Sequence, residues 1–205
     1  MRHPEAVFLP IMMFSDYFLT VLGASLCEKR YSLHFKLEQY EMNPIWQKAI
    51  AKKQWLNLRH ATLTILISGV LILLLELGDL PPDLAPFVLG CILVPLGLVL
   101  GRHFNNLLMF SLLNRKPDEV SGAVDMSHQF VLSLSAYQTF AVMVPVALIA
   151  LFSQSYFARG GLAGIVLFLI VQSVWIRKAK GQKSPAGTKT AAPSVVLLVL
   201  GLLGL

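Results

Sequence analysis

The chain has 205 residues, of which 56% are hydrophobic and 14% charged, with a formal net charge of +6 and a mean hydropathy of +0.67. Soluble domains carry about 25% charged residues, so this composition excludes an ordinary soluble enzyme and points to an all-helical, multi-pass transmembrane bundle. Positive charge on such a chain sets topology and meets anionic lipid rather than nucleic acid, and Cys27 and Cys91 form neither a disulfide framework nor a metal-ligand pattern.

A bilayer core of about 30 Å takes about 20 helical residues, and the first run of that length is 7–26. It is read as a retained span, not a cleaved signal: it is long, Asp16 interrupts it, and no A-x-A-like site follows. Asp16 stands near its middle, where a carboxylate is expensive. Asp16, Thr20, Gly23 and Cys27 share one helical face, which is expected to look into protein rather than lipid. With no cationic residue expected at that depth, Asp16 is expected to be neutral, since desolvation favours the uncharged carboxyl. Asp16 with Thr20 is thus a candidate intramembrane polar site. It serves either as a hydrogen-bonded lock between helices or as a place for a proton or cation.

The connection 27–59 is too long for a simple turn. Leu33, Phe35, Leu37 and Tyr40 interleave with polar residues in a pattern that suits a short strand or a helix. After Asn43-Pro44, the residues Ile45, Trp46, Ala49, Ile50 and Lys53 predict an amphipathic helix with Asn as its cap. Trp46, Trp55, Lys48, Lys52 and Lys53 suit a helix lying on an anionic leaflet, or one packed on the other loops. Asp16 and Thr20 followed by Glu41-x-Asn43-Pro44 form a pattern that resembles an uncharacterised family of small prokaryotic integral membrane proteins. The resemblance covers the first quarter of the chain and implies no assigned reaction. On the residues alone, Glu41 and Asn43 at a helix start are capping chemistry.

The next spans are 60–78 and 84–101, joined by the acidic turn Asp79-Leu80-Pro81-Pro82-Asp83. Glu76 is expected to reach the interface at that end. No breaker follows before Pro117, so the third helix is predicted to run on to about residue 114. Arg102, His103, Asn105 and Asn106 stand at the end of that span with three- and four-residue spacings. They form a candidate lipid or anion site, with Arg supplying a bidentate fork; snorkelling at a span end is the structural alternative. The fourth span, 130–152, carries His128, Ser135, Gln138 and Thr139 as a candidate interhelical polar stripe. His103, His128 and Asp125 match no metal-ligand spacing, and no metal is expected. A fifth span follows at 160–176 and a flexible linker at 181–189. A sixth candidate, 190–205, reaches only about 24 Å and is either a span or a partly inserted tail.

Of the 17 Lys and Arg residues, 15 fall in 27–59, 102–129 and 177–189. The positive-inside rule makes these connections cytoplasmic and the N-terminus external, in the inner (plasma) membrane. No H-E-x-x-H, G-x-S-x-G, P-loop or G-x-G-x-x-G is present, and no cofactor is indicated. The leading expectation is a non-enzymatic membrane scaffold or accessory subunit that packs on other membrane subunits or on itself, with a bound lipid. The alternatives are a small proton, cation or solute transporter using Asp16, and an intramembrane lipid-modifying enzyme using Arg102, His103 and His128.

Overall fold

The computed structural model describes residues 2–37, 40–41 and 45–181. Asn43, Pro44, most of the predicted linker and the sixth candidate span lie outside the described residues. The elements in chain order are α1 (Phe8–Leu26), β1 (Phe35–Leu37), α2 (Gln47–Ala51), α3 (Leu58–Leu77), α4 (Leu84–Arg115), β2 (Val124–Met126), α5 (His128–Phe152) and α6 (Tyr156–Gly181). Five helices, α1 and α3 to α6, are long and apolar enough to cross a bilayer.

Local chemistry explains the boundaries. The Asn57 side chain accepts from the His60 N–H and opens α3, and the Ser127 hydroxyl does the same for Phe130 and α5; each satisfies one of the orphan donors of a helix start. Pro117 begins a short 3-10 turn after α4 and Gly122 adopts φ +85°, a left-handed conformation that glycine takes without steric cost. In the region of the predicted loop helix lies the five-residue α2; Trp46 and not Asn43 stands at its N-cap position, without a side-chain cap, and it ends where Lys53 turns to φ +51°.

Side-chain contacts set the directions of the helices. Asp16 meets His103, and Leu26 meets Asn114, so α1 and α4 run parallel. Tyr17 stacks on His60 while Glu76 accepts from the backbone N–H groups of Arg2 and His3, so α3 runs antiparallel to α1. The apolar core of the acidic-turn end joins Ala6 and Leu9 to Leu75 of α3 and to Ala85, Leu89 and Leu93 of α4.

The tightest crossing is between α4 and α6. A Cβ on Gly90 would overlap the carbonyl of Phe157, one on Gly160 the carbonyl of Phe87, and one on Gly164 the carbonyl of Cys91. Small residues let the two backbones meet, which is how helices gain contact where lipid offers no hydrophobic drive.

At the opposite end α1 outlasts its apolar neighbours. The helix breaks at Lys29, whose ψ is −123°, and Asn114 of α4 bridges the break. Its Oδ1 accepts from the N–H of Arg30 (2.9 Å) and of Tyr31 (3.2 Å), and its Nδ2 donates to the carbonyl of Leu26 (3.0 Å). The segment that sequence left between strand and helix forms a half-turn followed by β1. That strand pairs in parallel with β2 in the register Phe35 to Val124 and Leu37 to Met126. The His34 ring nitrogen Nδ1 lies 2.9 Å from the carbonyl of Gly122, so the two long connections are clasped together.

Candidate functional site

The polar side chains of the bundle gather toward one end, the end that carries most of the basic residues. Helix α3 has 20 residues, about 30 Å, close to the thickness of a hydrocarbon core. Glu76 at one end is level with residues 2 and 3, and His60 at the other is level with Tyr17. Asp16 therefore sits within about a turn of the basic end of α3 and not midway across. The apolar run 7–26 is longer than the crossing because its last turns are buried against protein: Val21 and Ala24 pack on Ile50 of α2, and Cys27 packs with Tyr31 and Phe110.

Asp16 also has a histidine beside it at its own depth, where the sequence reading expected no basic residue. His103 Nε2 lies 3.0 Å from Asp16 Oδ1 and 3.2 Å from Thr20 Oγ1. The Thr20 hydroxyl donates its single proton to the Asp16 carbonyl at 2.7 Å, so Oγ1 can only accept from the ring, and Nε2 must carry hydrogen. The Asp16 contact is an ion-pair approach rather than an aligned hydrogen bond, since Oδ1 has no in-line donor. The His103 side chain is 16% exposed and that of Asp16 32%, so the pair is enclosed on the histidine side and more open at the carboxyl.

Sequence grouped Arg102 with His103, Asn105 and Asn106 as one donor cluster. The structure sends them different ways. His103 faces α1, whereas Arg102 faces α5: its Nη1 donates to the Ser135 carbonyl (3.2 Å), to the Ser135 hydroxyl and to Thr139 Oγ1 (3.4 Å). The guanidinium also lies 5.7 Å above the Phe168 ring of α6. Asn105 is exposed and Asn106 half-buried, and neither joins these contacts. Adjacent residues on a helix point about 100° apart, and that rotation splits the cluster.

The predicted stripe on α5 is divided in the same way. Ser135 and Thr139 are buried in the Arg102 network, while Gln138 is exposed and His128 half-buried at the helix start. Asp125 sits in β2 opposite Lys36. No group of three metal-ligating side chains occurs among the described residues. No family model, curated protein or solved structure matches this chain. The geometry alone carries the functional reading.

Two participants were missed in the sequence. Gln172 of α6 donates to the Ser135 hydroxyl at 2.9 Å and completes the Arg102 network; a lone amide inside an apolar run was the available signal. His60 stacks on Tyr17 with ring centroids 4.5 Å apart and meets Trp46 edge-on at 5.2 Å. Trp46 is thereby drawn against α3, with the Arg59 guanidinium 5.9 Å from its ring centroid. The Tyr17 hydroxyl donates to the Gln54 carbonyl at 2.7 Å, which ties the first connection to α1.

Below this tier, a half-open cleft of about 470 Å³ separates the end of α1 from α2, with Cys27, Glu28, Tyr40, Glu41 and Lys48 on its walls. Glu28 is already paired with Lys53. The Tyr40 ring rests on Gly23, whose missing side chain makes the space, and burial pushes the Tyr40 phenol above its ordinary pKa. The face of α1 that carries Asp16, Thr20, Gly23 and Cys27 thus meets α4 and the first connection along its length.

Proposed function

We propose that the chain is a non-enzymatic membrane scaffold, an accessory subunit that packs on another membrane protein or on a second copy of itself. The observation that carries this reading is the contrast between its polar groups and its outer face. Asp16, Thr20 and His103 hold α1 to α4; Arg102, Ser135, Thr139 and Gln172 hold α4, α5 and α6. Helix α3, by comparison, joins the bundle through α1 and the turn before it, with Leu71, Ile72 and Leu75 against the core. Its remaining face, including Ile65, Leu66, Val70, Leu73 and Leu74, is exposed, and an apolar groove of about 390 Å³ runs between it and Ile92 of α4. Exposed apolar faces suit lipid or a partner helix, and lateral association between helices follows from close van der Waals packing. In this reading the basic end faces the cytoplasm of the plasma membrane by the positive-inside rule.

Native mass spectrometry of the full-length protein, extracted in mild detergent from its own membranes, is expected to give a mass above that of one chain. Val70→Trp is expected to reduce that assembly while leaving the Tm unchanged. A wild-type protein recovered solely as a monomer would overturn the reading.

One observation favours a second reading, the transporter. A carboxyl half-open to its surroundings and touching a histidine Nε2–H is a pair through which a proton can pass, and ionisable groups in spans often mark such paths. If it holds, Asp16→Asn in reconstituted vesicles abolishes proton or cation flux while the protein stays folded, because the amide fills the same space and His103 keeps its hydrogen bond to Thr20. Equal flux in the two proteins removes it. The enzyme reading needs Arg102 and His103 to converge, and their placement on different sides of α4 gives it no support.

A further inference from the structure

We propose that the outward edge of the Arg102 guanidinium, held between α4, α5 and α6, binds the phosphate of an anionic phospholipid. The inference concerns a ligand of the single chain and is independent of whether that chain assembles with others.

The first ground is an unpaired charge. All three hydrogen bonds of Arg102 leave through Nη1, to Ser135 and Thr139. Nη2 and Nε have no acceptor among the described residues, and neither is among the sealed polar atoms of the bundle. The edge therefore opens outward. No carboxylate among the described residues is paired with it: Asp16, the carboxyl within electrostatic reach of the guanidinium, is in contact with His103 instead. An arginine at membrane depth without an anion is costly, and a guanidinium edge with two parallel N–H groups matches two phosphate oxygens.

The second ground is preorganisation maintained at a cost. Gln172 is 2% exposed; its Nε2 holds the Ser135 hydroxyl at 2.9 Å while its Oε1 has no partner. Turning the amide over would exchange the orphaned atom, not remove it. A buried amide that leaves one atom unsatisfied is destabilising in itself. What it achieves is to fix Ser135, which fixes Nη1, while the Phe168 ring lies 5.7 Å from the guanidinium carbon.

Depth selects the source of the phosphate. Leu84 to Arg102 is about 27 Å of helix, so the open edge stands near the far limit of a hydrocarbon core of about 30 Å, where the headgroup phosphates of that leaflet begin. Leu134 and Val171, which precede Ser135 and Gln172, are exposed and apolar and offer surface to acyl chains.

The test uses delipidated full-length protein in mild detergent, titrated separately with phosphatidylglycerol, phosphatidylcholine and inorganic phosphate. Binding is read by native mass spectrometry and thermal shift. Wild type is expected to retain phosphatidylglycerol and to gain Tm from it, with no comparable response to the other two. Arg102→Lys keeps the charge but loses the fork, and is expected to weaken phosphatidylglycerol binding by about tenfold or more. Gln172→Leu removes the orphaned atom, keeps the fold and is expected to weaken binding several-fold by loosening Arg102. Unchanged binding in Arg102→Lys, or in Gln172→Leu if the lysine variant does not fold, would overturn the proposal. Equal stabilisation by inorganic phosphate would overturn the lipid source, and equal retention of phosphatidylcholine would overturn the selectivity.

Discussion

Gly160→Ala is expected to lower the stability of the bundle by about 3 kcal/mol, the upper end for overpacking, and its apparent Tm by roughly 10 °C. The added methyl would point at the carbonyl, carbonyl carbon and Cα of Phe87. These are backbone atoms inside a helix and cannot swing away as a side-chain tip can. Either α4 and α6 separate, losing the dispersion contacts of their whole seam, or the backbone bends. Gly164→Ala meets the same obstacle at Cys91, whereas at Gly161 the neighbour is the Val94 side chain at 2.7 Å, so its cost is smaller. Gly69 and Gly101 have nothing within 4 Å of the added carbon. There, Ala is expected to be neutral or stabilising by up to about 1 kcal/mol, the helix-propensity gain. Thermal unfolding in one detergent for these variants decides the matter. A Gly160→Ala protein as stable as Gly101→Ala would mean that the close crossing does not hold the bundle together.

The crossing also shows what was legible in the sequence. Composition and run length located the five long helices, because about 20 consecutive apolar residues have few other uses. The continuation of α4 toward Arg115 followed from the lack of a breaker before Pro117. Run length could not separate membrane from protein as the apolar surroundings. The stretch from Val21 to Leu26 reads as span, but Val21 and Ala24 are buried against Ile50, and Leu26 packs on the cluster of Cys27 and Phe110. That is why Asp16 seemed central when it lies near one end.

At the level of single residues, the shared face of Asp16, Thr20, Gly23 and Cys27 was readable from spacing, and it does meet protein. Its partner was not readable, because His103 is 87 positions away and looked like part of a cluster with Arg102. Helix phase separates those two neighbours, but nothing in the sequence says which helix each will face. Gln172 was overlooked for a related reason: one amide in an apolar span has no periodicity, and its meaning appears when α6 is brought against α5. The charges that mark a site in the membrane are the same charges that can lock helices together, so spacing alone did not separate the two roles.

His103→Ala is expected to separate these roles by its dependence on Asp16. In the wild-type background the substitution strands a carboxyl whose Oδ1 is sealed from surroundings and whose near partner is the lost imidazole. Breaking a buried pair from one side costs about 3 to 5 kcal/mol. The lower figure applies here, because the Asp16 side chain is 32% exposed and its other oxygen can find a partner. In an Asp16→Asn background the carboxyl is gone, so the same histidine loss is expected to cost about 1 kcal/mol, that of a single neutral hydrogen bond to Thr20. The expected coupling is therefore about 2 kcal/mol, measured from unfolding of the two single variants and the double variant. Asp16→Asn alone is expected to be mild, since the amide has the shape of the carboxyl and the Nε2–H stays on Thr20. Additive effects would show that Asp16 and His103 do not act as a unit. Strong coupling with unaltered ion flux would assign the pair to holding α1 against α4, and so to the frame on which α3 presents its exposed face.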